Sequence, residues 1–178
     1  MYSTSYASPL GTISMASDGE SLVGLWITGQ KYFAATVKDA LEEKPDLPMF
    51  SNVQKWLDAY FAGKKPAISE LPLAPSGGDF RKGVWDILCD IPYGQCTTYG
   101  EIAKKMAARM GKKSMSSQAV GGAVGHNPIS IIIPCHRVVG SNGSLTGYAG
   151  VIDKKIKLLE LEGVDVSRYF VPPKGTAL

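Results

Sequence analysis

The octapeptide Ile133-Pro134-Cys135-His136-Arg137-Val138-Val139-Gly140 sets one of three cysteines beside one of only two histidines. Cysteine attacks as its thiolate, and an unperturbed thiol of pKa about 8.5 is only slightly ionised at neutral pH, so a nucleophilic cysteine needs a base or a nearby cation. His136 is the candidate base. Neighbouring side chains of an extended chain point to opposite faces, so a bridging water is expected between sulfur and ring rather than a direct bond. The imidazole then needs a carboxylate to hold its tautomer, and Glu162, at the end of the last helix, is the candidate. A buried structural Cys135 and a solvent-facing Glu162 are the plainer alternatives.

These residues must be positioned by the elements around them. Pro134 fixes its own φ and biases Ile133 toward an extended shape, so the run Ile131-Ile132-Ile133 reads as strand-like and ends in a defined turn at Cys135. Upstream, Phe80, Val84, Ile87 and Leu88 form a helical stripe that ends at Ile91-Pro92-Tyr93-Gly94. Thr98-Tyr99-Gly100-Glu101 fits a capping box, followed by Ile102, Ala103, Met106, Ala107 and Met110 on one helix face. A short link leads to a second helix over residues 116–124, and the pair suggests a helix-turn-helix. Gly121-Gly122 costs that helix roughly 1 kcal/mol per glycine relative to alanine, so something must favour the small surface. Either a neighbouring helix packs there, or Ala119, Gly121, Gly122 and Ala123 admit a nucleic-acid groove. A last helix over residues 153–162 buries Ile152, Ile156 and Leu159 and stops at Gly163.

The first 75 residues differ in kind. Tyr2 to Ser8, Thr12 to Ser17 and Leu22 to Thr28 read as strands joined by tight turns. Val53, Trp56, Leu57, Tyr60 and Phe61 mark an amphipathic helix with Ser51 or Asn52 as N-cap and Gly63 past its end. Prolines and glycines from Leu71 to Gly78 place a boundary there. The expected organisation is α+β: a supporting domain over 1–75, a mostly helical domain over 76–170 and a tail over 171–178. Six lysines face eight acids in residues 1–75, a formal −2, whereas 13 basic residues face eight acids from 76 onward, a formal +5. The cationic half suits a polyanionic partner. No run of 18 apolar residues and no signal-peptide pattern exists, so no membrane partner and a cytoplasmic location are expected. Three cysteines outside any CxxC or metal spacing argue against a disulfide framework or zinc site.

The octapeptide resembles the active-site signature of the O6-alkylguanine-DNA alkyltransferases, the methylated-DNA-protein-cysteine methyltransferases. The likeness runs through LPLAPSGGDFRKGVWDILCDIPYGQCTTYGEIA, QAVGGAVGHNPISIIIPCHRVVGSNGSLTGYAG and KKIKLLELEG, over residues 71 to 163. It implies a ribonuclease H-like first domain and a winged helix-turn-helix-like second one. It implies a reaction performed once: Cys135 takes the alkyl group from O6 of guanine in double-stranded DNA, irreversibly and without metal or soluble cofactor, in a monomeric protein. His136 matches the water-linked base, Glu162 the acid that orients it, Asn127 the asparagine tying the helix-turn-helix to the active-site turn, and Tyr99 the hydroxyl that donates to the departing purine. Val138, Tyr148, Ala149 and Gly150 match the walls of the base pocket. Some relatives have serine at Ala149, so only a backbone donor can serve there. Ser117, Gln118, Ala119, Gly121, Gly122 and Arg137 match the DNA-binding surface. The family commonly has arginine at the position of Gln118, where it fills the gap left by the flipped base. Residues 1–75 hold no Cys or His, so the zinc site of some relatives cannot form. Two other readings share these motifs: a DNA-binding protein without catalysis, and a thiol hydrolase built on Cys135 and His136.

Overall fold

The computed structural model describes residues 1–148 and 151–173, which form two compact units. The first comprises Met1–Gly77 with Pro128–Ile132, and the second Gly78–Asn127 with Ile133–Leu178.

In the first unit, β1 (Tyr2–Ser8), β2 (Gly11–Ser17) and β3 (Leu22–Ile27) form an antiparallel meander, and β4 (Glu42–Glu43) pairs parallel with β1, giving the order β3-β2-β1-β4. Every residue of β3 is buried, as expected of a strand covered on both faces. Gly24 is needed there because a Cβ would come within 1.9 Å of the Trp26 ring two residues on, on the same face. Two short stretches lie along β3. Leu73 bridges to Leu22, so the expected linker is partly fastened to the sheet, and Ile129 bridges to Leu25. That second stretch comes from far along the chain, and no local pattern announced it.

Helix α1 (Pro48–Phe61) buries Val53, Trp56, Leu57 and Tyr60 as the spacing predicts, but it begins a turn earlier than Ser51 or Asn52. Leu47 is the N-cap and Pro48 opens the helix, where a missing N–H and fixed φ cost nothing.

The second unit is built on α2 (Asp79–Cys89), α3 (Tyr99–Arg109), α4 (Ser117–Gly125) and α5 (Ile152–Leu161). Thr98 caps α3 by accepting the Glu101 N–H at 3.1 Å, and Ser116 caps α4 through the Ala119 N–H. Met110 departs from the predicted stripe: it follows the last turn of α3 and is 44% exposed. The two-residue strands β5 (Thr97–Thr98) and β6 (Val138–Val139) pair in parallel, which sets the start of α3 beside the end of the Cys135 turn. Among the described residues no helix is long and apolar enough to cross a membrane.

The Trp85 indole of α2 donates to the Ala123 carbonyl of α4 at 2.9 Å. Ala123 lies among the last carbonyls of its helix, which have no intrahelical donor, so Trp85 closes α4 as well as packing it. Trp85→Phe leaves that buried carbonyl unsatisfied and should lower stability by about 1–3 kcal/mol. A shift of the urea midpoint at constant m-value would register it; an unchanged midpoint would show the bond contributes nothing.

Candidate active site

The run expected to be strand-like is instead a chain of turns. Ile131 has φ +71°, the Ile132 N–H donates to Ser130 O at 2.8 Å, and the Cys135 N–H donates to Ile133 O at 2.8 Å across Pro134. Pro134, at φ −81° and ψ 63°, is the centre of an inverse γ-turn. A second three-residue turn, centred on Ile131 with the positive φ that isoleucine rarely adopts, precedes it, so the segment is not extended. Cys135–Arg137 then form one turn of 3-10 helix that runs into β6. The turn breaks the alternation of side chains that an extended Cys-His pair would have.

Cys135 is 6% exposed. Burial pushes its thiol up to about 11, against the opposing pull of a hydrogen bond from Asn127, the Lys155 ammonium, and the N–H groups of Cys135 and His136. The Asn127 amide also donates to Ile133 O at 2.9 Å, so it links the end of the helix-turn-helix to the turn that carries the sulfur. In the resting protein the sulfur is therefore a protonated thiol with donors already in place for a thiolate.

His136 is fully buried, with Nε2 hydrogen-bonded to Glu162 Oε2. A carboxylate opposite Nε2 fixes the proton on that nitrogen, leaving Nδ1 with the lone pair. Among the described residues none hydrogen-bonds Nδ1, which is also buried. Burial, foremost, holds the imidazole pKa down against the raising effect of Glu162, with Arg137 and Lys155 adding to the depression. The ring is a neutral base at neutral pH.

Glu162 caps α5 and collects three donors: His136, the Arg137 Nε at 2.7 Å and the Gly94 N–H at 3.1 Å. Gly94 sits at φ +78°, and a Cβ there would approach the Glu162 carbonyl to 3.0 Å, so the predicted Pro92-Tyr93-Gly94 turn needs glycine for both reasons. Arg137 corrects the sequence reading. It is 6% exposed, bound to Glu162 and to Ile91 O at 2.6 Å, and stacked over the Tyr93 ring, so it is not a surface cation offered to phosphate.

Tyr99, at the start of α3, is buried and donates its hydroxyl to Thr146 O at 3.2 Å. Burial raises its pKa to about 12, so it remains a donor. Tyr148, at φ +55°, presents its ring edge-on to His136 with centroids 6.3 Å apart. Val138 spends its backbone internally: its N–H returns to Cys135 O and its carbonyl accepts from Lys155. Ala149 and Gly150 lie outside the described residues.

Lys155 is the buried charged residue beside the site that sequence reasoning missed. It is completely buried on α5, three residues after Ile152 and four before Leu159, where the helix turns its apolar face inward. A lysine in that stripe was the available signal.

On α4, Ser117, Gln118 and Ala119 are exposed, whereas Gly121 is buried and Gly122 is partly so. Among the described residues, a Cβ at Gly122 would meet nothing beyond its own helix within 4 Å. Packing inside the protein does not explain that glycine, so the first turn of α4 and Gly122 form a small-residue face with Gln118 projecting from it.

Two family models match in order: the ribonuclease-like domain of 6-O-methylguanine DNA methyltransferase over residues 1–75, and its DNA binding domain over residues 79–164. The methylated-DNA-protein-cysteine methyltransferase of Methanosarcina acetivorans is 44% identical over 92% of the chain and 99% of that protein. The Haemophilus influenzae protein of the same name is 38% identical over 92% of the chain and 87% of its own length. Among solved structures, Mycobacterium tuberculosis OGT in complex with DNA is 39% identical and superposes with a TM-score of 0.79 over 95% of each chain. Matches of this length and identity, over both units and around a Cys-His-Glu arrangement, leave one conclusion: the chain belongs to the 6-O-methylguanine DNA methyltransferase family.

Proposed function

We propose that the chain repairs DNA directly, taking the alkyl group from O6 of guanine onto Cys135 in a single irreversible turnover. The observation that carries this reading is the buried base: Glu162 holds Nε2 of a neutral His136, and Nδ1 is the nitrogen left to receive a proton in the same turn as the thiol. The Cys135 proton passes to Nδ1, through a water where the two do not touch. The thiolate attacks the alkyl carbon, an S–C bond forms as the C–O6 bond breaks, and the electron pair leaves with the purine. Tyr99 turns its hydroxyl from Thr146 O to the purine and stabilises the charge that develops there. A thioether does not leave, so the sulfur is consumed.

The guanine is reached by flipping it from the duplex, which costs a few kcal/mol. The exposed first turn of α4 and the open Gly122 suit insertion into a minor groove, with Gln118 filling the vacated space. Val138, Tyr148, Ala149 and Gly150 then border the base. We further propose a monomer that acts in the cytoplasm on nucleoid DNA.

Mixing the protein with duplex DNA containing O6-methylguanine should add one methyl mass, located on Cys135, and Cys135→Ser should add none. An unmodified Cys135 with tight binding to the lesion would instead identify a sensor, and repeated ester cleavage without mass change a hydrolase. Tyr99→Phe should slow transfer by about a hundredfold while the protein stays folded, because Lys155 still satisfies Thr146 O. A single-turnover rate equal to the native one would remove Tyr99 from the reaction.

Glutamine lacks the charge and the stacking plane of arginine. Gln118→Arg is therefore expected to tighten duplex binding and to speed repair. Unchanged affinity and rate in a fluorescence-anisotropy and transfer assay would show that Gln118 already does all that this position contributes.

A further inference from the structure

Burial of a lysine is costly unless an anion compensates it. Lys155 is wholly buried, and among the described residues no carboxylate lies within ion-pair distance of it. Its Nζ instead donates to two carbonyls, Val138 O at 2.5 Å and Thr146 O at 3.0 Å. Val138 follows the Cys135 turn, and Thr146 O is also the acceptor of the Tyr99 hydroxyl. One ammonium thus ties the backbone at the end of the Cys135 turn to the backbone at Thr146, and it leaves Thr146 O satisfied when Tyr99 turns away.

We propose that Lys155 is a positioning residue for alkyl transfer, a buried cation that favours the Cys135 thiolate while clamping the backbone at Val138 to that at Thr146. This rests on the alkyl-transfer reading above. The titratable and charged groups around it are Cys135, His136 and Arg137 on and beside the 3-10 turn, Cys96 before β5, Tyr99 at the head of α3 and Glu162 at the end of α5. Of these, Cys135 first and Cys96 second oppose the burial that lowers the Lys155 pKa to about 8. Lys155 in turn lowers the Cys135 thiol and helps keep His136 neutral. Coupling between two sites is reciprocal, so whatever the thiolate does for the ammonium, the ammonium does for the thiolate. On this proposal the two titrations are coupled, and each apparent value reports the pair rather than one residue. With the cation present the thiolate microstate is reached at lower pH; without it the sulfur holds its proton to higher pH.

Thiolate absorbance of the full chain, taken as the difference from Cys135→Ser, reads this directly. Lys155→Met should move the Cys135 titration upward by about one pH unit and cut the neutral-pH transfer rate about tenfold, with the rate recovering as pH rises. Lys155→Arg, which keeps the charge, should restore much of both, and affinity for undamaged duplex should not change. A Lys155→Met protein with a native thiol titration and pH-rate profile overturns the proposal. Should the methionine variant fail to fold, the native protein still decides: nuclear magnetic resonance of isotope-labelled lysine should show the Lys155 titration moving downward in Cys135→Ser, and an unmoved titration overturns the coupling. Failure of the native protein to take up methyl would sink the proposed function while leaving the lysine titration as it is. Loss of coupling would sink this inference while leaving methyl uptake intact.

Discussion

A carboxylate buried at the end of α5 organises the rest of the site. Glu162 accepts from His136, Arg137 and the Gly94 N–H, and these three donors come from the 3-10 turn and from the turn after α2. A buried carboxylate is tolerable only with such compensation, and losing one partner leaves a charge exposed to low dielectric. The network therefore constrains its neighbours: the helix must end at Glu162, the turn must contain Gly94, and the arginine must point inward. Its chemical consequence is the imidazole tautomer, which decides which ring nitrogen is basic.

The site balances two tendencies of burial. Desolvation pushes the Cys135 thiol up and the His136 imidazole down, so both are neutral at rest. That is a sensible resting condition for a sulfur that reacts only once, because a free thiolate would be exposed to oxidation and to stray electrophiles. Donors from Asn127 and the backbone, together with the nearby ammonium, wait for the charged form.

Four non-glycine residues among the described ones have positive φ: Tyr32 and Ala34 lie in the first unit after β3, and the other two lie nearer the reacting cysteine. Ile131 at φ +71° and Tyr148 at φ +55° are not glycines, and each lies in a segment close in sequence to the reacting residues. Such conformations persist only where surrounding contacts over-determine them. Ser130 contributes one such contact, its hydroxyl donating to Gln30 Oε1 at 2.9 Å within the sheet unit. Pro128–Ile132 is bound along β3 by the Leu25 N–H to Pro128 O and the Ser130 N–H to Leu25 O.

Much of this was legible without coordinates, because the signals are local. The helix stripes, the Thr98 cap, the Gly94 turn and the pairing of a base with a thiol all depend on residues a few positions apart. Local pattern also misled: three isoleucines before a proline look like a strand, yet two three-residue turns, closed by the Ile132 N–H to Ser130 O and the Cys135 N–H to Ile133 O, stand in its place. Arg137 looked like a surface cation because nothing in the octapeptide announces a carboxylate 25 residues later. Lys155 passed unnoticed because its partners, Val138 O and Thr146 O, are backbone atoms without a sequence signature. Residue order alone determined which groups could react and which helices would carry them; long-range packing decided which of those groups are buried, and hence which carry a proton, because desolvation depends on what the whole chain places around an atom.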